Sequence, residues 1–290
     1  MNKPFIAVIG GSGVYNIEGL INTTWVDVDS TFGLSSDQIL MGELLGYKIA
    51  FLPRHGRGHK LSPSEINYRA NIDALKKIGV TDIISVSAVG SLREDLAPGT
   101  FVIVDQFIDR TFARAKSFFT DGCVAHVSMA HPVCARLGDH LLQAAVKSGI
   151  KVVRNGTYLV MEGPQFSTLA ESNLYRTWGC DVIGMTNMPE AKLAREAEIC
   201  YATVAMVTDY DCWHPDHDNV TVDQILRVLL ANADNAKSLI KNSLPSLATD
   251  SCSMECSCKK ALENSLITQP EARSKESIKR LSNVASRVIG

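Results

Sequence analysis

Three apolar runs, each ended by glycine or by a polar pair, set the frame of the chain. Phe5-Ile-Ala-Val-Ile9 breaks into Gly10-Gly-Ser-Gly13, Ile83-Ile-Ser-Val-Ser-Ala-Val89 closes on Gly90, and Cys200-Tyr-Ala-Thr-Val-Ala-Met-Val207 ends at Thr208-Asp209. Short runs rich in β-branched residues and bounded by turn residues read as buried strands. Helical spacing lies between them. Ser62-Pro-Ser-Glu65 has the form of a capping box, and Ile66, Ala70, Ala74 and Ile78 follow on one face. This predicts a helix from Ser62 to about Gly79, with Lys76 and Lys77 at its negative end. Pro189 to Glu198 is a second helix of strong formers. Thr221-Val-Asp-Gln224 is a further capping box that opens a stripe through Val222, Ile225, Leu226, Leu229, Leu230 and Ala233. Ser246 to Cys258 is polar and turn-rich and reads as a linker, and Ile278, Leu281, Val284 and Val288 stripe a terminal helix. Helices joining buried strands predict an α/β fold. We expect one such domain over 1–245, with 246–290 a linker and a helix packed on it.

Composition narrows the function. The 290 residues are 46% hydrophobic and 21% charged, values of a folded enzyme rather than a disordered chain. Lys+Arg number 29 and Asp+Glu 31, a net charge of −2, with no basic tract to hold nucleic acid or an acidic membrane. No apolar run reaches the ~20 residues that span a bilayer, and Phe5–Ile9 is too short for a signal-peptide core. A cytoplasmic protein is expected. Of eight cysteines, Cys123, Cys134, Cys180, Cys200 and Cys212 stand isolated, and Cys252, Cys256 and Cys258 cluster. Structural zinc wants two separated pairs, so no metal is expected. Free thiols and a disulfide involving Cys256 and Cys258 both remain open.

Candidate chemistry gathers where strands end. Gly10–Gly13 can wrap an anion with backbone N–H groups, Ser12 adding a hydroxyl. It is not a Walker loop, since no lysine follows, nor a dinucleotide fingerprint, since Asn16 stands where a third glycine belongs. Arg54-His-Gly-Arg-Gly-His59 is a short cationic loop, and arginine is a planar fork for phosphate oxygens. With Ser87 and Thr186 these residues describe a pocket for free phosphate, at the carboxyl ends of strands where α/β sheets bind ligands. Asp209 and Asp211 follow a strand two residues apart. In an extended backbone both carboxyls face one side and can share a proton, which raises one of them. A rival reading is a nucleotide-binding regulatory module without turnover.

The motifs together resemble those of a known family. Gly10-Gly-Ser-Gly13, Arg54-His-Gly-Arg57, Ser87-Ala-Val-Gly-Ser-Leu-Arg-Glu-Asp95, Met161-Glu-Gly-Pro-Gln-Phe-Ser167, Met185-Thr186 and Thr208-Asp-Tyr-Asp-Cys-Trp213 are similar, in this order, to motifs of the 5′-methylthioadenosine phosphorylases. These lie within the trimeric purine nucleoside phosphorylases. The resemblance runs from about Phe5 to about Ile240. It implies a single α/β domain with a central mixed sheet or distorted barrel flanked by helices, a homotrimer or hexamer, and phosphorolysis of methylthioadenosine. Inorganic phosphate is then a co-substrate, and no cofactor is needed. Carried over by motif, Ser12, Arg54, His55, Ser87, Ala88 (by its backbone) and Thr186 hold phosphate, and Met185 meets the ribose. Phe166 and Ser167 line the base pocket, with Asp209 and Asp211 reading the purine. His126 reaches a neighbouring subunit's pocket, and Val222, Ile225 and Leu226 wall the methylthio group. The Cys256-Ser-Cys258 pair resembles one linked to disulfide chemistry in some members. A phosphorylase for 6-oxopurine nucleosides or methylthioinosine is the alternative within the family.

Overall fold

The computed structural model describes residues 4–11, 13–215, 222–250 and 256–289, without the side chains of 222–227. Among these, eleven strands form one mixed sheet: β1 (Ile6–Gly10), β2 (Leu20–Val26), β3 (Ile39–Leu44), β4 (Tyr47–Pro53), β5 (Asp82–Ser91), β6 (Phe101–Ile103), β7 (Gln106–Asp109), β8 (Val152–Arg154), β9 (Thr157–Val160), β10 (Val182–Gly184) and β11 (Cys200–Asp209). The helices are α1 (Tyr68–Lys77), α2 (Ala135–Lys147), α3 (Leu169–Thr177), α4 (Asn187–Glu196), α5 (Val222–Thr249), α6 (Lys275–Leu281) and α7 (Ser286–Ile289). The expected α/β architecture is present.

Helices cover both faces of the sheet, which is why its central strands are apolar without alternation. Ala7, Ile9 and Ile83 face a core shared with Ile72 of α1, Leu193 of α4 and Leu281 of α6. Ile6, Val8 and Ile84 face the opposite core, against Leu137 of α2 and Leu239 of α5. β5 is the hub. β11 runs parallel along one of its edges, from Cys200↔Asp82 to Asp209↔Gly90. Its other edge is shared: β1 pairs with Asp82–Ser85, and β10 pairs with Gly90 and Ser91. Neither strand covers the stretch between.

Several element boundaries, and the placement of the cysteines, differ from expectation. α1 starts at Tyr68, where Asn67 Oδ1 accepts from the Ala70 N–H at 3.1 Å while its Nδ2 donates to the Phe32 carbonyl. The Ser62–Glu65 capping box is an isolated turn, in which the Ser62 N–H donates to Glu65 Oε2. α5 continues past Ser246 to Thr249 and carries Pro245 within it, because Leu244 and Leu247 prolong its buried stripe. The cap at Thr221 lies outside the described residues. The terminal stripe is split between α6 and α7, though Leu281 and Val284 are buried and Ile278 and Val288 pack on the core as their spacing predicts. The last difference concerns cysteines. Cys134 and Cys200 are not isolated: their sulfurs lie with those of Cys256 and Cys258, all four within 4.8 Å of one another. Residues distant in the chain carry no spacing signal. Cys252 lies outside the described residues.

Candidate active site

The gap along β5 is an open edge of the sheet, a candidate cleft. Ala88 is exposed in the middle of a strand whose neighbours Ser87 and Val89 are buried. Successive residues of a strand aim their backbone groups at opposite edges. The Val86 carbonyl lies on the gap side, where Arg54 Nη1 donates to it at 3.0 Å, so the Ala88 N–H faces the gap as well. Three hydroxyls gather behind it. Ser87 Oγ is 3.1 Å from Thr186 Oγ1 and 3.1 Å from the Tyr158 hydroxyl.

Arg54 closes the gap from β4. It is 2% exposed, and its Nε and Nη2 donate to the two carboxylate oxygens of Glu190 at 2.8 and 3.0 Å. Nη2 also donates to Ser85 Oγ at 2.6 Å. These bonds and the one to Val86 occupy four of the five guanidinium N–H groups, leaving one on Nη1 for a ligand. Burial opposes the charge, yet the Glu190 carboxylate outweighs it and holds the guanidinium above its usual range. Arg54 is therefore chiefly a strut across the parting strands. His55 differs from the cationic donor its loop suggests. Burial pushes its imidazole down to about 4, with Arg54 adding to the effect, so it is neutral at pH 7. Its Nδ1 lies 2.8 Å from the Leu61 carbonyl, which can only accept, so Nδ1 carries the proton and Nε2 is an acceptor.

Asp209 ends β11 directly opposite Gly90, two residues from Ala88. The approach requires glycine: a Cβ at Gly90 would come within 2.9 Å of Asp209 Oδ1. Burial raises the Asp209 carboxyl, against the Thr208 hydroxyl and the Asp211 N–H, which donates to Oδ1 at 2.8 Å. Thr208 Oγ1 stands 2.6 Å from Asp209 Oδ2 and 3.2 Å from the Val89 carbonyl. One hydroxyl hydrogen serves one acceptor only, so a proton on Asp209 completes the chain through Thr208 to Val89. Asp211 is buried, and both burial and the Asp209 charge raise its carboxyl. It does not continue the strand, however. β11 ends in an irregularity between Val207 and Asp209, and Asp211 has φ of 53°, so its side is set by a turn.

Comparison with known proteins places the chain in a family. A family model described as the phosphorylase superfamily matches residues 5–245. The chain belongs to that superfamily. Its similar members include the S-methyl-5′-thioadenosine phosphorylase of Rhodospirillum rubrum, 64% identical over 288 residues that cover 99% of this chain and 98% of that one. The enzyme of the same name from Cereibacter sphaeroides is 60% identical over 287 residues, 99% of each chain. Among solved structures, a methylthioadenosine phosphorylase from an Antarctic soil metagenomic library matches with a TM-score of 0.93 at 50% identity, covering 98% of this chain and 99% of that one. Methylthioadenosine phosphorylase from Schistosoma mansoni in complex with adenine matches at 0.80 and 35% identity, covering 86% and 93%.

The remaining predicted residues of this superfamily member are dispersed. Ser167 is buried, its carbonyl accepting from the Cys212 thiol at 3.4 Å, which sets it beside the Asp211 turn. Phe166 is 54% exposed. Met185 lies under the 161–167 loop, where a Cβ on Gly163 would meet its sulfur at 2.5 Å. His126 is exposed on a surface cleft that it shares with His131 and Arg195, and none of the other predicted residues among those described lines that cleft. Ser12 lies outside the described residues, as do the side chains of Val222, Ile225 and Leu226. Two residues of consequence carry no local signal in the sequence. Glu190 fixes Arg54, and Arg114, 8% exposed, donates to the Met185, Met188 and Glu162 carbonyls, tying the loops over the cleft together.

Proposed function

We propose that the chain catalyses phosphorolysis of 5′-methylthioadenosine, giving adenine and 5-methylthioribose 1-phosphate. The observation that carries this reading is the pairing of Asp209 with Gly90, which sets a carboxyl raised by burial about 7 Å along the sheet from the open edge at Ala88. Phosphate seated against Ala88, Ser87, Thr186 and the remaining Arg54 N–H would lie below C1′ of a nucleoside whose purine reaches Asp209. As the C1′–N9 bond breaks, its electrons pass to the purine and Asp209 donates its proton to N7, so that adenine leaves neutral. A phosphate oxygen forms the new bond to C1′. Hydrogen phosphate loses the proton that balances the one adenine gains: as the sugar phosphate becomes a dianion that proton passes to solvent, from which Asp209 is reprotonated. Asp211 takes the 6-amino group, favouring adenine over a 6-oxopurine. The similar proteins named above support this substrate.

The same reading makes phosphate a co-substrate and requires no cofactor. It also takes the protein to be a cytoplasmic homotrimer or hexamer, in which a neighbouring copy covers the exposed Phe166 and Phe112 and brings His126 to a pocket. No helix among the described residues is long and apolar enough to cross a membrane. Adenine release from methylthioadenosine, measured with and without phosphate and then on adenosine and inosine, tests the proposal. Release should require phosphate and fall in that order of substrates; phosphate-independent release, or a preference for inosine, would overturn it.

A further inference from the structure

Four cysteines from three parts of the chain meet at the end of the sheet opposite the cleft. Cys134 caps the start of α2, and its N–H donates to the Tyr201 carbonyl at 2.8 Å, which locks it beside the start of β11. Cys200 opens β11, its N–H donating to the Thr81 carbonyl at 3.0 Å. Cys256 and Cys258 belong to the short 3₁₀ turn Ser257–Lys260 that begins the C-terminal segment, Cys256 as its cap. Three of the four are buried and Cys256 is half-buried. We propose that Cys134, Cys200, Cys256 and Cys258 form a structural zinc site that fastens the segment 256–289 to the sheet.

The geometry favours a metal over paired disulfides. Zinc holds thiolates at about 2.3 Å in a tetrahedron, which puts every pair of sulfurs about 3.8 Å apart. All four sulfurs lie within 4.8 Å of one another, which admits that figure for every pair at once, and none of the four cysteines is in a disulfide. Disulfides would instead draw sulfurs together two by two, to about 2.05 Å, and separate the pairs. The surroundings supply the second requirement. Zinc with four thiolates carries two negative charges, and metal sites hold such charge with N–H donors around the ligands. Arg136 stands two residues along from Cys134, in the first turn of α2. Its Nη1 donates to the Asp250 carbonyl at 2.7 Å and its Nη2 to Asp82, but Nε is buried with no hydrogen-bond partner. A thiolate beside it would give that donor an acceptor. Binding is balanced by release of four protons as four thiols become thiolates. The site stands nine residues up β11 from Asp209, about 30 Å along an extended strand, so its role is structural.

Elemental analysis of protein purified in the presence of reductant, without added metal, is the first test. About one zinc per chain is expected, as for other four-cysteine sites. Titration of the native protein with a mercurial reagent should release that zinc as four thiols react. Cys258→Ser should lose the zinc, whereas Cys212→Ser, outside the quartet, should keep it. Should Cys258→Ser fail to fold, cobalt exchanged into the wild-type protein decides the matter, since four thiolates give it strong sulfur-to-metal charge-transfer bands and tetrahedral visible bands. Metal-free protein with four titratable thiols overturns the proposal. So do two disulfides in the quartet without metal, iron in place of zinc, or zinc that survives in Cys258→Ser.

Discussion

In the proposed reaction Asp209 is the acid: burial raises its carboxyl, while Gly90 leaves it room at the strand end. Replacing it by asparagine keeps the shape and removes the proton. Asp209→Asn should lower kcat by about 10²–10⁴-fold, the usual contribution of a placed general acid, and leave KM for methylthioadenosine within a few-fold. The direction of the Asp209 shift also predicts a pH dependence. The useful form is protonated, so kcat should fall as pH rises through the raised Asp209 value, and a pH profile of Asp209→Asn should lack that limb. Among single residues, Asp209, Ser87, Thr186 and Arg54, picked out by intrinsic chemistry, all lie along the open stretch of β5 or beside it. His55 was legible in place but not in state, because its charge is decided by burial and by the Leu61 carbonyl. The turn at Asp211 was not legible either, since Asp-x-Asp looks the same in a strand and in a bend.

At the scale of elements, the Arg54–Glu190 pair joins the end of β4 to α4 across 136 residues of sequence. Glu190 also accepts from Ser85 Oγ at 2.7 Å and from the Tyr201 hydroxyl at 2.9 Å, so the same carboxylate holds β5 and β11. Removing its charge strands a buried guanidinium, a change that typically costs about 3–5 kcal/mol. Glu190→Gln should therefore unfold at markedly lower denaturant concentration than wild type, and equilibrium unfolding at fixed protein concentration measures it. Strands and helix ends with local signals were readable, such as Lys76 and Lys77 before Gly79. The start of α1 was not, because Asn67 gains its advantage as a cap from the distant Phe32 carbonyl. The sharing of one β5 edge between two strands has no signature in either strand's sequence, yet it creates the cleft.

For the molecule as a whole, Glu196 makes stability depend on pH. It is 8% exposed, and burial raises its carboxyl from 4.5 to about 7, although the Phe118 N–H and Ser117 hydroxyl both donate to it. The folded state thus holds this proton more tightly than the unfolded one. Its contribution is complete below about pH 4.5 and is lost as pH rises through about 7, a change of roughly 3 kcal/mol. Glu196→Gln keeps an acceptor for the Phe118 N–H and cannot ionise. It should gain stability over wild type at pH 8 and show no gain at pH 4.5, as denaturant titrations at both values would reveal. Packing of the tail on the core was foreshadowed by its apolar stripe, whereas the meeting of Cys134 and Cys200 with Cys256 and Cys258 depends on the finished fold.

The unpaired stretch of β5 would give phosphate, the proposed co-substrate, a second part to play. An oxyanion resting on the Ala88 amide would occupy the position that a further strand would otherwise fill, taking the hydrogen bond that β1 and β10 both leave unmade. The ligand is then a missing piece of the sheet as well as a reactant, and an enzyme saturated with it is held shut along its central seam.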